Sequence, residues 1–251
     1  MTATPALRVV FTGASGTLDG LGVALTSVGL GCEEFPLLGF GPPLSWRALD
    51  EAVSRLGRYA AVAVTSPRAA QSLVERVRLL GADRTALPPI WCGAASAELL
   101  RDHFSRVEVP SAEVASPASL AVRLAGSMLA AGVGSPVLFP CGEVHREELL
   151  VRLRAAGRRV EPVIAYRALL APLADVEAAI ARADVLVVTS PRVAQHLTAA
   201  TRNGARPSMV AIGPTTAEAA SIAGWTPDAV AMRPTVADVV GAIHALLPSL
   251  T

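Results

Sequence analysis

Short apolar runs alternate with amphipathic segments along the whole chain. Several runs are apolar throughout instead of alternating between apolar and polar residues, as in AAVAVTS (60–66) and DVLVVTS (184–190). Such runs are typical of strands in sheets whose two faces are both covered by helices. The succession of strand and helix therefore predicts an α/β fold with parallel sheets and right-handed crossovers.

The same pattern gives the individual elements of this fold. Strands are predicted at 7–12, 32–38, 60–66, 90–93, 106–110, 136–140, 159–166, 184–190, 208–213 and 228–232. Helices are predicted in the intervening stretches, for example around 18–28, 69–80, 98–104, 120–130, 146–155, 194–202 and 217–223.

The chain also repeats itself. VAVTSPRAAQSL (62–73) matches LVVTSPRVAQHL (186–197), and CGAASAELL (92–100) matches IGPTTAEAA (212–220) in the same order. Each half therefore holds one copy of the same α/β unit, which predicts two similar domains.

Both TSPR segments lie where a predicted strand ends and a helix begins, which is where open α/β sheets bind ligands. Ser66 and Ser190 can cap the following helix, and Pro67 and Pro191 fit its first turn. The free N–H groups and the helix dipole then favour a carboxylate or a phosphate. The alternative is that the serines only cap their helices, and the local sequence does not separate the two interpretations.

A second pair of loops, GAAS (93–96) and GPTT (213–216), again combines a glycine after a strand with hydroxyl residues at the start of a helix. Glycine permits close approach of a ligand to the backbone. Neither loop is a P-loop, because the chain has no G-x-x-x-x-G-K-[ST] motif. TGASG (12–16) lacks the third glycine spacing of a dinucleotide-binding fingerprint, so a nucleotide site is not predicted there.

Composition narrows the class of protein. The chain of 251 residues is 52% apolar, and its 22 basic and 21 acidic residues give a net charge of +1. A nucleic-acid or membrane-surface protein would carry a basic excess, so neither partner is expected. No apolar run reaches the length of a membrane span, and the start MTATPALRVVFTG has no signal-peptide layout. A cytoplasmic protein is predicted.

The sequence is poor in candidate catalytic side chains. Its three cysteines are widely spaced, which fits neither a disulfide framework nor a zinc site. Cys141 and His145 lie four residues apart near a loop, but nothing else supports a thiol nucleophile. The histidines show no metal-ligand spacing; they are His103, His145, His196 and His244. An enzyme of this composition is expected to work by positioning a reactive substrate.

Several segments in a fixed order connect the chain with a known family. They are VTSPRAAQSL (64–73), the loop at 93–96, LFPCGEVHREELLVRLRAAGRRVEPVIAYR (138–167), VVTSPRVAQHL (187–197), AIGPTTAEAA (211–220) and RPTVADVVGAI (233–243). With these segments the chain resembles the uroporphyrinogen-III synthase family over most of its length. Two departures are Gly13, where the family often has Arg, and Ser96, where it usually has Thr.

The resemblance implies two similar parallel-sheet α/β domains with the active site in the cleft between them. Domain one would comprise 1–36 and 168–251, and domain two would comprise 40–165. A two-stranded connector would be formed by 36–40 and 162–167.

The resemblance also implies the activity. The family cyclises hydroxymethylbilane, an octacarboxylate, to uroporphyrinogen III with loss of water and inversion of ring D through a spiro intermediate, without a cofactor. Tyr166 would then assist departure of the hydroxyl, or pack on the hinge; Arg146 would bind a carboxylate, or be a helix-surface charge. The substrate-binding residues expected from the loops and the resemblance are Thr12, Ser66, Pro67, Ser96, Arg146, Ser190, Pro191, Gly213, Pro214, Thr215 and Thr216.

A competing hypothesis is a non-catalytic, two-lobed domain that binds or senses a small anion, since fold alone does not decide function. Such binding proteins are usually exported, whereas the start of this chain does not read as a signal peptide. No metal site is predicted, and a monomer is the expected state.

Overall fold

The computed structural model describes residues 7–14, 16–82, 87–110, 119–201 and 206–250, without the side chains of the last two. Contacts within the chain divide it into two compact units. Unit 1 comprises Met1–Gly39 and Leu169–Thr251, and unit 2 comprises Phe40–Ala168. The domain boundaries, connector and interdomain cleft expected from the sequence stay predictions.

Unit 1 is built on a parallel five-stranded sheet. Its elements are β1 (Arg8–Phe11), α1 (Leu21–Ser27), β2 (Gly31–Glu34), α7 (Leu173–Arg182), β9 (Val185–Val188), α8 (Pro191–Ala200), β10 (Ser208–Ala211), α9 (Pro214–Ala223), β11 (Ala229–Val230) and α10 (Val236–Leu250). The strand order is β11-β10-β9-β1-β2, and every neighbouring pair is parallel.

Unit 2 carries most of a six-stranded sheet, whose strands β3 and β8 run across the boundary between the units. The elements are β3 (Leu38–Gly41), α2 (Arg47–Ser54), a 3-10 turn (Leu56–Arg58), β4 (Ala61–Val64), α3 (Pro67–Leu79), β5 (Ile90–Cys92), α4 (Ala94–Arg101), β6 (Val107–Glu108), α5 (Leu120–Ala130), β7 (Val137–Gly142), α6 (Glu148–Ala155) and β8 (Val160–Leu170). The strand order is β3-β8-β7-β4-β5-β6, and the pairs from β8 to β6 are parallel.

Both faces of each sheet are buried, which explains the continuously apolar strands. In β1, Val9 and Phe11 pack in one cluster with residues of α1 and α10, whereas Val10 packs in another with residues of α7, α8 and α9. In unit 2, Val62 packs with residues of α2, α3 and α4, whereas Ala63 packs with residues of α5 and α6. The predicted α/β class with parallel, doubly covered sheets is confirmed.

The predicted strands are all present, with ends that differ by a few residues. The strand predicted at 159–166 continues to Leu170, and the stretch predicted as one strand at 32–38 overlaps two, β2 and β3. Helix α4 begins at Ala94, four residues before its predicted start, because Gly93 occupies the capping position. Arg202, the predicted end of the helix at 194–202, lies outside the described residues.

A two-pronged ion pair joins α2 to α3. Arg76 Nε and Nη2 donate to the two carboxylate oxygens of Asp50 at 2.6 and 2.7 Å, and the two side chains are only 11% and 27% exposed. Bidentate pairs of this kind are among the stronger hydrogen bonds in proteins, since both partners are charged and the geometry fits both oxygens.

We expect Asp50→Asn to lower the free energy of unfolding by about 1–3 kcal/mol, because one charged hydrogen bond is lost and the largely buried guanidinium loses its counter-charge. Urea denaturation measures the difference. Arg47→Ala is the matched control, because its bond to Glu51 lies on the exposed surface of α2 and is expected to contribute almost nothing. Equal effects of the two substitutions would contradict the prediction.

Candidate functional site

The carboxyl ends of neighbouring strands bring the chemically distinctive residues of unit 2 together. β5, β4, β7 and β8 are successive neighbours in the sheet. Ser66 follows β4, Gly93 follows β5, His145 and Arg146 follow β7, and Tyr166 lies on β8. Ligands of open parallel sheets bind at this edge, so it is the candidate site of the unit.

Ser66 caps α3 as predicted. Its backbone is extended, its Oγ accepts a hydrogen bond from the N–H of Ala69 at 3.2 Å, and Pro67 occupies the first helical position. Proline has no N–H and the N–H of Ala69 is bonded to the serine, so the N–H of Arg68 is the first-turn donor that neither the cap nor the helix satisfies. This donor and the helix dipole favour an anion at the loop.

A cavity of about 390 Å³, here called the Tyr166 cavity, opens at this edge. It brings together three residues predicted for the site: Ser66, Arg146 and Tyr166. Its other lining residues come from the end of β7 and from the loops and helix starts around it, and are Thr65, Ser119, Leu120, Ala121, Cys141, Gly142, Val144, His145 and Glu148.

Tyr166 is placed by an irregularity in the pairing of β7 with β8. Cys141 pairs with Ile164 and Gly142 pairs with Tyr166, so Ala165 is an extra residue on β8. A bulge of this type redirects side chains. A Cβ at Gly142 would lie 2.9 Å from Cζ and 3.0 Å from the hydroxyl oxygen of Tyr166, so the ring lies directly against the glycine backbone.

The hydroxyl of Tyr166 remains available for a ligand. The side chain is half-buried, and its ring meets Phe40 edge to face with 5.9 Å between ring centroids. Among the residues that the structure describes, none forms a hydrogen bond with the Tyr166 hydroxyl. Packing of the Tyr166 ring on Phe40 therefore does not prevent its hydroxyl from contacting a ligand.

Cys141 and His145 share the cavity but do not form a nucleophilic pair. The Cys141 thiol is buried and donates to the carbonyl of Val163 at 3.6 Å. Burial raises the pKa of Cys141 to about 12, and the bond to Val163 opposes this only in part. The thiol is therefore protonated at neutral pH, whereas thiolate is the nucleophilic form. The Nδ1 atom of His145 lies 3.0 Å from the carbonyl oxygen of Gly142 instead.

Arg146 and Glu148 supply charge at the rim of the cavity. Arg146 is exposed and forms no ion pair with any side chain in the described part of the chain. Glu148 accepts a short hydrogen bond from the hydroxyl of Ser119, whose Oγ also caps α5. Arg146 is thus the cation in this cavity that a ligand carboxylate can reach without displacing a protein partner.

A second cavity, of about 470 Å³, shares Tyr166 and contains a residue that the sequence reasoning missed. The guanidinium of Arg68 lies over the ring of Phe40 at 3.5 Å from its centroid. Trp46 adds a second aromatic wall, and Glu75 brings a negative charge further along α3. The Pro-Arg dipeptide that both halves of the chain share points to Arg68 in the sequence. Its stacking partner Phe40 lies on β3, which the local sequence around Arg68 does not reveal.

Unit 1 repeats the loop arrangement. Ser190 Oγ accepts from the N–H of Val193 at 3.2 Å, and Pro191 begins α8. Gly213 directly precedes α9, which begins at Pro214. Helix α9 follows β10, and α8 follows β9; these two strands are neighbours in the sheet. Thr215, in the first turn of α9, is exposed. Two helix starts with available N–H groups therefore adjoin at the carboxyl edge of this sheet.

Three of the predicted residues have buried side chains. Thr12, Ser96 and Thr216 are 0%, 2% and 4% exposed, and the Thr12 hydroxyl donates to the carbonyl of Val187 at 2.8 Å. Helix α4 begins at Ala94 and α9 at Pro214, so the last two hydroxyls face the core from within the first turn. In the described conformation these three side chains are not exposed to a ligand, so their contact with one stays a prediction.

The packing around residue 13 explains why a glycine stands there. A Cβ at this position would lie 2.4 Å from Cζ of Phe11 and 3.0 Å from Cγ2 of Thr189. The Phe11 ring therefore occupies the space into which a longer side chain at residue 13 would begin. A basic side chain at residue 13 would therefore require the Phe11 ring to move.

The described residues show neither a metal-binding cluster nor a membrane-spanning helix. They contain no group of three or more His, Cys, Asp or Glu side chains arranged to hold a metal ion. Within the same residues, no helix has both the length and the apolar character needed to cross a membrane.

We expect Gly142→Ala to be destabilising by about 1–3 kcal/mol, because the added methyl group overlaps the Tyr166 ring and forces it to move. The double variant Gly142→Ala/Tyr166→Ala should recover most of this loss, because the ring that meets the methyl group is gone. Urea denaturation of the wild type, both single variants and the double variant gives the coupling. Additive losses would show that the contact is not the cause.

The chain matches the family described as uroporphyrinogen-III synthase HemD over residues 19–241. A uroporphyrinogen-III synthase of Synechococcus elongatus is 26% identical over 159 residues, which cover 63% of this chain and 59% of that relative. The chain thus spans less than two thirds of that relative's length.

Two solved structures share the fold. A uroporphyrinogen-III synthetase of Helicobacter pylori has a TM-score of 0.62 at 16% identity, with 96% of this chain and 99% of that one covered. A mutant uroporphyrinogen III synthase of Thermus thermophilus has a TM-score of 0.57 at 18% identity, with 97% and 100% covered. The family resemblance expected from the sequence is confirmed: because the family match extends over residues 19–241, this protein belongs to the uroporphyrinogen-III synthase family.

Proposed function

We propose that the chain is a uroporphyrinogen-III synthase, which cyclises hydroxymethylbilane to uroporphyrinogen III and releases water. The observation that carries this proposal is the family match over residues 19–241. The Tyr166 cavity supports it, because it combines a free hydroxyl group, an unpaired cation and a helix start that favours anions.

The proposed reaction proceeds by loss of the terminal hydroxyl of hydroxymethylbilane as water, which leaves an azafulvenium cation. The substituted α-carbon of ring D attacks this cation and forms a spiro intermediate. One bond of the spiro centre then breaks, and the unsubstituted α-carbon of ring D closes the macrocycle, so that ring D is inverted. The same substrate closes without an enzyme to the unrearranged isomer, so the protein must both accelerate closure and select its direction.

Tyr166 is the residue proposed to act on the leaving group. Its ring is packed between Gly142 and Phe40, which fixes the direction of the side chain. The hydroxyl can then donate a hydrogen bond to the departing oxygen, where negative charge develops as the carbon–oxygen bond breaks. Because packing holds the ring in place beforehand, little reorganisation is needed when the substrate arrives.

The carboxylates of the substrate are proposed to bind at helix starts and at Arg146. The loop at Ser66 and Pro67 offers the N–H of Arg68, and the loop at Ser190 and Pro191 offers that of Arg192. The first turns that contain Ser96 and Thr216 contribute through the N–H groups of Ala95 and Thr215. The side chains of Ser96 and Thr216 are buried, and their own N–H groups donate to the carbonyls of Gly93 and Gly213. Gly213, Pro214 and Thr215 belong to the proposed carboxylate-binding surface of unit 1, and Thr12 supports strand β9 beside it through its hydrogen bond to Val187.

The net charge of +1 supports a small-molecule substrate over nucleic acid as the partner. We propose a cytoplasmic monomer that needs no added cofactor. Gel filtration with light scattering, and activity after dialysis against a chelator, test the last two points.

Incubation with freshly generated hydroxymethylbilane tests the activity. The products are oxidised to porphyrins, and isomers I and III are separated by chromatography. We expect isomer III to predominate and to form faster than isomer I does in the absence of protein. Isomer I alone, at the spontaneous rate, would contradict the proposal; tight binding of the substrate without turnover would then favour the anion-binding or sensor alternative.

The role of the Ser66 loop can be separated from helix capping by comparing two substitutions. Asparagine and aspartate both cap helices well, but only aspartate adds a negative charge. If a substrate carboxylate binds at this loop, Ser66→Asp should lower kcat/KM by about tenfold or more, equivalent to about 1.4 kcal/mol of repulsion. Ser66→Asn should remain within about twofold of the wild type.

The measurement is the initial rate of isomer III formation over a range of substrate concentrations. Thermal unfolding of both variants serves as the control, because equal stability shows that the cap is kept. Equal rates for the two variants would mean that Ser66 only caps its helix.

A further inference from the structure

His145 is held in one tautomeric form by the backbone of the Tyr166 cavity. Its Nδ1 atom lies 3.0 Å from the carbonyl oxygen of Gly142. A carbonyl oxygen can only accept a hydrogen bond, so Nδ1 must carry the proton. In the neutral imidazole, Nε2 then carries the lone pair, and any exchange of a proton takes place at that atom.

The ring is fixed, but its Nε2 atom remains accessible. The imidazole meets Phe139 edge to face, with 5.7 Å between centroids and an interplanar angle of 85°. No residue in the described part of the chain bonds to Nε2, and the atom is not buried. Since His145 is only half-buried and lines the Tyr166 cavity, Nε2 is open to a molecule in that cavity.

Gly142 connects this imidazole with Tyr166. The carbonyl of Gly142 receives the Nδ1 proton of His145, and the α-carbon side of the same residue lies against the Tyr166 ring. One residue of backbone therefore positions both side chains at the end of β7. The hydroxyl of Tyr166 and Nε2 of His145 can both exchange a proton with a ligand, because no described residue forms a hydrogen bond with either atom.

The other titratable or charged groups around the cavity are already assigned. The Cys141 thiol, from β7, is buried and bonded to Val163, and burial raises its pKa to about 12. Glu148, from α6, is bonded to Ser119. The guanidinium of Arg146 has N–H donors and no acceptor atom, so its role here is to bind an anion.

We propose that Nε2 of His145 is the proton-transfer group of the ring closure; this rests on the proposed function. In the first step the imidazolium gives the Nε2 proton to the terminal hydroxyl, the carbon–oxygen bond breaks and water leaves. In the last step the unsubstituted α-carbon of ring D forms the closing carbon–carbon bond, and its C–H proton passes to neutral Nε2. One proton is given and one is taken, so the imidazole is restored and no other reactant is required.

The carbon that loses the hydroxyl becomes bonded to one α-carbon of ring D, and the proton leaves the other α-carbon of the same ring, so one fixed base near ring D can serve both steps. Tyr166 complements it by a hydrogen bond to the leaving oxygen. Imidazole suits the task because it gives and takes protons near neutral pH, where general acid–base catalysis is most efficient.

The test compares His145→Asn and His145→Ala with the wild type in the isomer assay. Asparagine keeps an N–H donor near the Gly142 carbonyl but has no atom that exchanges protons near neutral pH. We expect His145→Asn to lower kcat by about 100-fold, the lower end of general acid–base contributions, with KM within about twofold. His244→Asn, on the exposed face of α10, is the matched control and should keep the wild-type kcat.

Chemical rescue distinguishes proton transfer from a positioning role. Imidazole, 4-methylimidazole and 1,2,4-triazole are added to His145→Ala, with protein-free mixtures as blanks. The restored rate of isomer III formation should depend on the pKa of the azole. Urea denaturation of each variant confirms that it is folded.

A wild-type kcat in His145→Asn would overturn the inference while leaving the proposed function intact. A loss that no azole restores, or that is restored equally by all three, would assign His145 a positioning role only. If the wild type itself forms isomer I alone, at the spontaneous rate, the proposed function fails and the inference fails with it.

Discussion

Parallel pairing of strands that are buried on both faces is the constraint on which the rest of this structure depends. A parallel neighbour can be reached only by a crossover, so each strand is followed by a helix that must cover one face of the sheet. All the strand-to-helix loops within a sheet then lie at its carboxyl edge. The candidate residues of unit 2, separated by up to 100 positions in the chain, meet at one edge for this reason.

The Ser-Pro helix starts turn that edge into a surface that suits anions. In both units the serine bonds the third N–H of the helix and the proline removes the first, which leaves the second N–H available. Main-chain donors are shared by many positions and need no particular side chain. Such donors suit the carboxylate-rich substrate proposed for this chain, although the chain has few acid–base groups, and Arg146 adds a positive charge at the Tyr166 cavity.

The backbone of Gly142 positions the two side chains that are proposed to act on the substrate, Tyr166 and His145. The bulge between β7 and β8 places Tyr166 opposite it, and the missing side chain lets the ring lie against the backbone. The carbonyl of the same residue sets the tautomer of His145. The proposed positioning of the substrate and the proposed proton transfer are therefore compatible, since the same backbone segment positions both Tyr166 and His145.

The sequence by itself determined the strands, the doubly covered parallel sheets, the repeated Ser-Pro caps and the family, because each of these depends on local pattern or on segments in a fixed order. It could not determine that Thr12 is buried, that Arg68 stacks on Phe40, or that Gly142 meets Tyr166. Such contacts depend on strand register and, for Gly142 and Tyr166, on a bulge between paired positions more than 20 residues apart in the chain, which local pattern does not encode. Tertiary structure alone decides which hydroxyl, imidazole or guanidinium reaches a cavity, because exposure and direction are set by what packs around each side chain.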